Sequence, residues 1–350
     1  MNLYKSLVRP VLFRMRPERA QEISKFILKR RAIWRTVSQF TPVEDEILKT
    51  NLAGIPLQNP VGLAGGFDKY CELLGSIMDL GFGYAIPGSI VSSPREDNPR
   101  PIYVRYPDRE SMANCTGIPS RGLEYTVKQL RKYAKRKAPI IANIADFSSD
   151  GFLRSFEALQ PLVDAVEVCL ICPNEKYSEF CPIEEDTFER LLGLLAARKT
   201  KPMLVKIRNY HDAKERDSRL ELVRACIRYG VDGITIPGSV TVNEPSLSLG
   251  KGNLTGRAVY HNTLRNIVDI MEETQGKMAI KALGGIFRAE HAFEAIQAGA
   301  TTVETVTGLI YEGPFLAKNM IRGLVRMLKD RKFASIQELR AYRKPRIVAA

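Results

Sequence analysis

Residues 279–329 read AIKALGGIFRAEHAFEAIQAGATTVETVTGLIYEGPFLAKNMIRGLVRMLK, and their pattern decides the fold. Two short runs, AIKALGG (279–285) and TTVETVTG (301–308), are largely apolar and end in glycine. Each is followed by an amphipathic stretch of helical period, 289–298 and 314–329. A strand that is apolar throughout and leads into a helix belongs to a parallel sheet covered on both faces. Working outward, the same alternation recurs at NPVGLAG (59–65), GYAIPGS (83–89), PIIANI (139–144), DAVEVCL (164–170), MLVKI (203–207) and GITIPG (233–238). Helical patterns lie near 70–80, 121–136, 151–160, 184–199, 213–229 and 261–274. Eight strand–helix units predict an α/β fold of the (β/α)8 TIM-barrel type, since a doubly wound open sheet usually stops at about five to seven strands.

The barrel has consequences for function. Its working residues belong at the ends of strands, with a phosphate site after strands seven and eight. Those ends carry Lys69, Ser89, Asn143, Cys172, Lys206, Gly284 with Gly285, and Thr307 with Gly308. Glycines there either serve as simple turns or let backbone N–H groups close on a phosphate, aided by the dipole of the following helix. Two lysines, an amide and this cradle suit a planar, electron-poor ring with a phosphate tail. FMN fits better than a dinucleotide, because no G-x-G-x-x-G stands between a strand and a helix. Sugar phosphates could use the same cradle. Cys172, followed by Pro173 and Asn174, is either a buried structural thiol or a general base, its ordinary pKa of about 8.5 being within reach of a nearby positive charge.

Residues 1–45 precede the barrel (46–350) as a separate unit. Leu3, Leu7 and Val11, and again Ala20, Ile23, Ile27 and Trp34, recur at helical spacing among many Lys and Arg, which predicts a basic amphipathic helix pair with Pro10 kinking or beginning one of them. Residues 1–40 carry ten basic and two acidic side chains, and residues 318–350 the same, so the two ends hold +16 of a net charge of +13. Such terminal clustering suits an anionic membrane surface better than nucleic acid, whose readers spread basic charge over the reading domain. Docking onto the barrel as a cap is the alternative. Composition excludes a disordered or collagenous chain, and no run approaches the roughly 18 apolar residues of a spanning helix. The basic start is broken by Arg9, Arg14 and Arg16 and lacks a cleavage site, which predicts a cytoplasmic protein peripherally associated with membrane. Six cysteines in such a chain read as thiols, and the Cys169–Cys172 pair makes no metal site while it lies on one strand.

The residues now resemble a family. LVRPVLFRMRPERAQE (7–22), NPVGLAGGFDKYCELLGSIMDLGFGYAIPGSI (59–90), LICPN (170–174), VKI (205–207), LTGRA (254–258), ALGGI (282–286) and VTGLIYEGP (306–314) are similar to the dihydroorotate dehydrogenases, specifically the membrane-associated class that passes electrons to quinone. The resemblance implies an FMN barrel with an N-terminal helical extension forming a quinone tunnel. It places Ala64, Gly65, Lys69, Ser89, Asn143, Lys206, Gly256, Gly284, Gly285, Thr307 and Gly308 around the flavin. Cys172 stands at the base position, where the quinone-linked class usually has serine and the soluble class cysteine. On the substrate side, Asn174 and Ser239 stand at contact positions, but the asparagine segments depart: NCTGIPS carries Pro119, VCLICPN carries Cys169, and IPGS carries Gly238. Orotate presents mostly hydrogen-bond donors and acceptors, so each missing partner costs about 1–3 kcal/mol. Arg121 and Arg208 are candidates for a replacement contact. The expectation is therefore an FMN oxidoreductase acting on a CH–CH bond of a substrate other than dihydroorotate. An authentic dihydroorotate dehydrogenase and a non-catalytic membrane-surface barrel are the alternatives.

Overall fold

The computed structural model describes residues 2–39, 44–169, 185–210 and 212–342. Eight parallel strands form its centre: β1 Val61–Leu63, β2 Tyr84–Ala85, β3 Ile141–Ile144, β4 Ala165–Cys169, β5 Met203–Lys206, β6 Gly233–Ile236, β7 Ala279–Leu283 and β8 Thr302–Thr305. They pair in the order β2-β1-β8-β7-β6-β5-β4-β3, and parallel bridges Ala85–Ile140 and Ile90–Ile144 close the ring. Helices follow at Leu74–Asp79, Leu123–Leu130, Ser149–Leu159, Glu185–Ala196, Ala213–Arg228, Tyr260–Glu273, Ala289–Gln297 and Leu316–Asp330, one after each strand as the alternation predicts. The first is shorter than the 70–80 pattern. Buried Asp68 accepts the N–H groups of Glu72 and Leu73, and Cys71 has a φ of 56°, which holds the chain out of helix until Leu74.

The barrel interior departs from the expected apolar filling. β2, β4, β6, β7 and β8 contribute Tyr84, Glu167, Thr235, Lys281, Thr302 and Glu304, all buried and joined to one another. Lys281 lies 2.6 Å from Glu167 and 2.8 Å from Glu304. A branched aliphatic layer is the usual barrel filling, whereas here a hydrogen-bonded ionic layer occupies the axis.

Long connections after β2 and β6 add an antiparallel sheet whose order is Val240–Asn243, Lys251–Gly256, Ser111–Asn114, Tyr103–Tyr106. This sheet lies between the barrel mouth and the N-terminal helices. Thr255 Oγ1 meets Thr307 Oγ1 at 2.9 Å on one side, while Glu18 accepts the Ile102 N–H at 2.9 Å and Gln21 donates to Tyr103 at 3.2 Å on the other.

The N-terminal unit is three helical stretches rather than a pair: Tyr4–Arg14, opening with a π turn, Pro17–Leu28 and Arg31–Gln39. Pro10 and Pro17 each stand in a first turn, where the missing N–H costs nothing. The first stretch docks by an unexpected face. Tyr4 donates to the Ile310 carbonyl at 2.6 Å, Lys5 pairs with Glu312 at 2.8 Å, Arg9 donates to the Tyr311 carbonyl at 3.3 Å, and Phe13 packs on Tyr311. The apolar stripe Leu3, Leu7 and Val11 is left 63, 60 and 53% exposed, with Leu3 also bordering the large cavity. Among the described residues no helix is long and apolar enough to cross a membrane, and Cys71, Cys115, Cys169 and Cys226 are free thiols.

Candidate functional site

A cavity of about 1410 Å³ opens at the strand ends and runs beneath the antiparallel sheet to the N-terminal helices. Ligand pockets commonly enclose about 300–1,000 Å³, so this space has room for more than one small molecule. Its barrel end is lined by Gly65, Lys69, Ser89, Lys206, Gly256, Gly284, Gly285, Thr307 and Gly308, the cofactor positions expected from sequence, together with Ser239. Two expected cofactor residues do not line it. Ala64 is fully buried, its N–H bonded to the Thr305 carbonyl, and Asn143 donates its side-chain amide to Glu167 at 2.5 Å beneath Gly65. Cys172 and Asn174 lie outside the described residues.

The glycines are required by close approach. A Cβ on Gly284 would fall 2.4 Å from the Gly238 Cα, and one on Gly285 2.5 Å from the Tyr260 Cβ. The backbone N–H groups of Gly284, Gly285 and Gly308 have no acceptor among the described residues, and the Thr307 hydroxyl borders the same space. That arrangement offers several donors to an anionic group. Lys69, 8% exposed, is held by Asp97 at 3.4 Å, and Lys206 closes the other side. Burial, followed by the charge of Lys69, lowers the pKa of Lys25 from the helical wall. The cavity thus has cationic corners in a largely apolar surround, and its residues fit an aromatic group with a phosphate tail.

On the side that the resemblance assigns to substrate, the wall carries amides, Asn209 and Asn253 among them, as well as the departures read from sequence. Cys169, Ile118, Pro119 and Gly238 line the cavity. Gly238 has no room for a longer side chain, because a Cβ there would lie 1.9 Å from the Gly284 Cα. Asn114, which opens the NCTGIPS segment, also faces the cavity, so that segment keeps an amide which the reading through Pro119 passed over. Of the two arginines, Arg208 lines the cavity. Arg121 does not; it pairs with Glu72 at 2.8 Å and lies 4.8 Å over the rings of both Tyr70 and Tyr125. Among the described residues no three His, Cys, Asp or Glu side chains are placed to hold a metal ion.

Sequence reasoning missed the polar layer beneath this site. Glu167 accepts from Asn143 and Thr235 and is ion-paired with Lys281, and although burial pushes its carboxyl upward, the charges of Lys281 and Lys206 hold it down to about 2. Glu304 borders the cavity, and its Oε1 receives Lys281 at 2.8 Å and the Tyr84 hydroxyl at 2.9 Å. Burial raises the Glu304 pKa, against the pull of Lys281. One charged residue inside each of three apolar strands, VEV, IKA and VET, was the available signal.

Comparison with known proteins places this geometry in a family. The dihydroorotate dehydrogenase family model matches residues 47–328. A dihydroorotate dehydrogenase (quinone) of Roseiflexus sp. (strain RS-1) is 29% identical over 352 residues, covering 95% of this chain and 96% of its own. The corresponding protein of Synechococcus sp. (strain JA-2-3B'a(2-13)) is 31% identical over 365 residues, covering 93% and 94%. The ligand-free dihydroorotate dehydrogenase of Eimeria tenella superposes with a TM-score of 0.82 at 23% identity, covering 94% of this chain and all of that one, which supports the fold. With the barrel, its glycine-lined mouth and the matched region in agreement, the chain belongs to the dihydroorotate dehydrogenase family of flavin-dependent oxidoreductases acting on CH–CH bonds.

Proposed function

We propose that the protein uses FMN to move a hydride between flavin N5 and a carbon–carbon bond of a small substrate other than dihydroorotate, with quinone as second redox partner. FMN, when bound, supplies the hydride-accepting ring. Lys69 and Lys206 stabilise negative charge at that ring's edge, while Gly284, Gly285, Thr307 and Gly308 hold the phosphate. Ala64, Gly65, Ser89, Asn143 and Gly256 complete the support. Cys172 moves the substrate proton, and Asn174 and Ser239 orient the substrate. Residues 1–45 form the quinone side and residues 46–350 the flavin barrel. The exposed stripe of Leu3, Leu7 and Val11 beside Lys and Arg suits a peripheral contact with the cytoplasmic membrane face.

The observation that carries the altered substrate is the contact of Gly238 with Gly284. Where the family's asparagine would stand, the ends of β6 and β7 have come together, leaving no room for an amide. A ring that requires that partner loses about 1–3 kcal/mol for each group left unpaired. The second reading, an authentic dihydroorotate dehydrogenase, is favoured by the names of the relatives and by Asn114 in the cavity wall. An anaerobic absorption spectrum before and after addition of dihydroorotate separates the two. An oxidised flavin spectrum that stays unchanged supports a different substrate; prompt bleaching establishes the second reading. Growth of a pyrimidine-auxotrophic host rescued by the gene would establish that second reading independently.

A further inference from the structure

The ionic layer inside the barrel is more than a filling, because its hydrogen bonding is complete around one carboxylate and incomplete around the other. Both oxygens of Glu167 are engaged, Oε1 by Asn143 and Oε2 by Thr235 and Lys281. Glu304 uses Oε1 for Lys281 and Tyr84, while its Oε2 is buried without a partner. Tyr84 is fixed in turn by Thr302, whose hydroxyl donates to the phenol oxygen at 2.8 Å. Glu304 is 1% exposed, yet it borders the cavity that Lys206 and Gly65 also line.

We infer that Glu304 exchanges a proton with the cofactor site, its free Oε2 taking one up when the site is reduced and giving it back when the site is reoxidised. The inference rests on flavin binding as proposed above. The charged and titratable groups facing Glu304 are Lys281 from β7, Glu167 from β4, Lys206 from β5 and Tyr84 from β2. Lys281 is shared between Glu304 and Glu167, so it does not neutralise both carboxylates, and Lys206, which lines the cavity, is the further cation acting on an ionised Glu304. A hydride entering the site brings two electrons and one proton and adds one negative charge. A carboxylate beside that charge is favoured to protonate, the proton coming from water in the cavity. Reoxidation by quinone removes the two electrons with one proton, and the quinol needs a second proton, which Glu304 supplies. Atoms and charge then balance over the cycle. The raised pKa of Glu304 agrees with a group that is readily protonated.

The test is electrochemical reduction of the flavin-loaded protein in weak buffer, with proton uptake counted and reduced-minus-oxidised infrared spectra recorded. Wild type is expected to take up one more proton per two electrons than Glu304→Gln. It should also gain a protonated-carboxyl C=O band on reduction that the variant lacks. Equal proton counts, or a band that survives in Glu304→Gln, would overturn the inference. Should that variant fail to fold, wild type labelled with carboxyl-13C glutamate and the Tyr84→Phe variant decide. The band must shift with the label and move in frequency when the Tyr84 donor is removed, and an absent or unmoved band refutes the role. A chain that binds no flavin would overturn the proposed function, whereas flavin bound without the extra proton overturns the role of Glu304 alone.

Discussion

Replacing Lys281 by methionine tests whether the ionic layer is a stabilising unit. Lys281 is completely buried and pairs with Glu167 and Glu304 at 2.6 and 2.8 Å. Methionine fills similar volume but leaves two buried carboxylates without their cation. Removing one partner of a buried ion pair costs about 3–5 kcal/mol, and two carboxylates share this one lysine, so the upper part of that range is expected near neutral pH. The sign of the pH dependence follows from the protons bound. In wild type Glu167 titrates below its unfolded value, at about 2, so its contribution is present above the ordinary carboxylate range and disappears only in strong acid. Without Lys281 both carboxyls rise above their unfolded values. The folded state then binds more protons than the unfolded chain, and stability falls as pH rises. Urea unfolding at about pH 6 and about pH 8 is the assay: the variant should lose most at the higher pH and recover part of the loss at the lower. Adding Glu304→Gln should also recover part of it, since Glu167 keeps Asn143 and Thr235. A Lys281→Met protein with the wild-type midpoint at both values, or a loss that does not shrink at the lower one, would refute this account of the barrel interior.

Four further outcomes are expected. Gly238→Asn should not confer dihydroorotate-driven bleaching and should lower stability by at least the about 1–3 kcal/mol of overpacking, because its side chain meets the Gly284 backbone; thermal melts and anaerobic spectra report both. Cys172→Ala should slow flavin reduction by the true substrate by about 10²–10⁴-fold, the usual size of general base catalysis, and stopped-flow reduction at the wild-type rate would remove Cys172 from that role. Leu7→Glu and Val11→Glu together should abolish sedimentation with anionic vesicles while leaving the flavin spectrum unchanged, since these side chains are exposed and do not line the cavity. His291 is held neutral by burial and the nearby Arg257, its pKa down at about 4. The unfolded chain therefore protonates first, and stability should decline as pH falls from about 6.5 toward 4, a slope that His291→Asn flattens in urea titrations.

The barrel was legible because apolar strands and amphipathic helices alternate with little interruption, and the observed strands lie within the apolar runs that predicted them. That Gly284, Gly285, Thr307 and Gly308 meet at the barrel mouth was legible for the same reason, as they follow directly from strand ends. The docking face of the first helix was not. Leu3, Leu7 and Val11 form the obvious stripe, but Tyr4, Lys5 and Arg9 supply hydrogen bonds to carbonyls and a carboxylate that a hydrophobic pattern does not register. The role of Asn143 was similarly hidden, since its partner Glu167 is distant in sequence and becomes its neighbour only when β3 and β4 pair in register. Arg121 looked available until Glu72, Tyr70 and Tyr125 were brought around it. The antiparallel sheet over the mouth lay in connections whose pairing is non-local, beyond the reach of any periodicity.

The first helix is tied to Ile310, Tyr311 and Glu312, which belong to the same short helix that begins with Thr307 and Gly308 of the cavity wall. If that helix moves as one piece, occupancy at one end and seating at the other are linked: an anion ordering Thr307 and Gly308 would tighten the hold on residues 2–14, and a surface stabilising those residues as docked would raise the affinity for the anion by the same factor. Protease resistance at the N terminus, compared with and without added FMN, would read that linkage without any turnover at all.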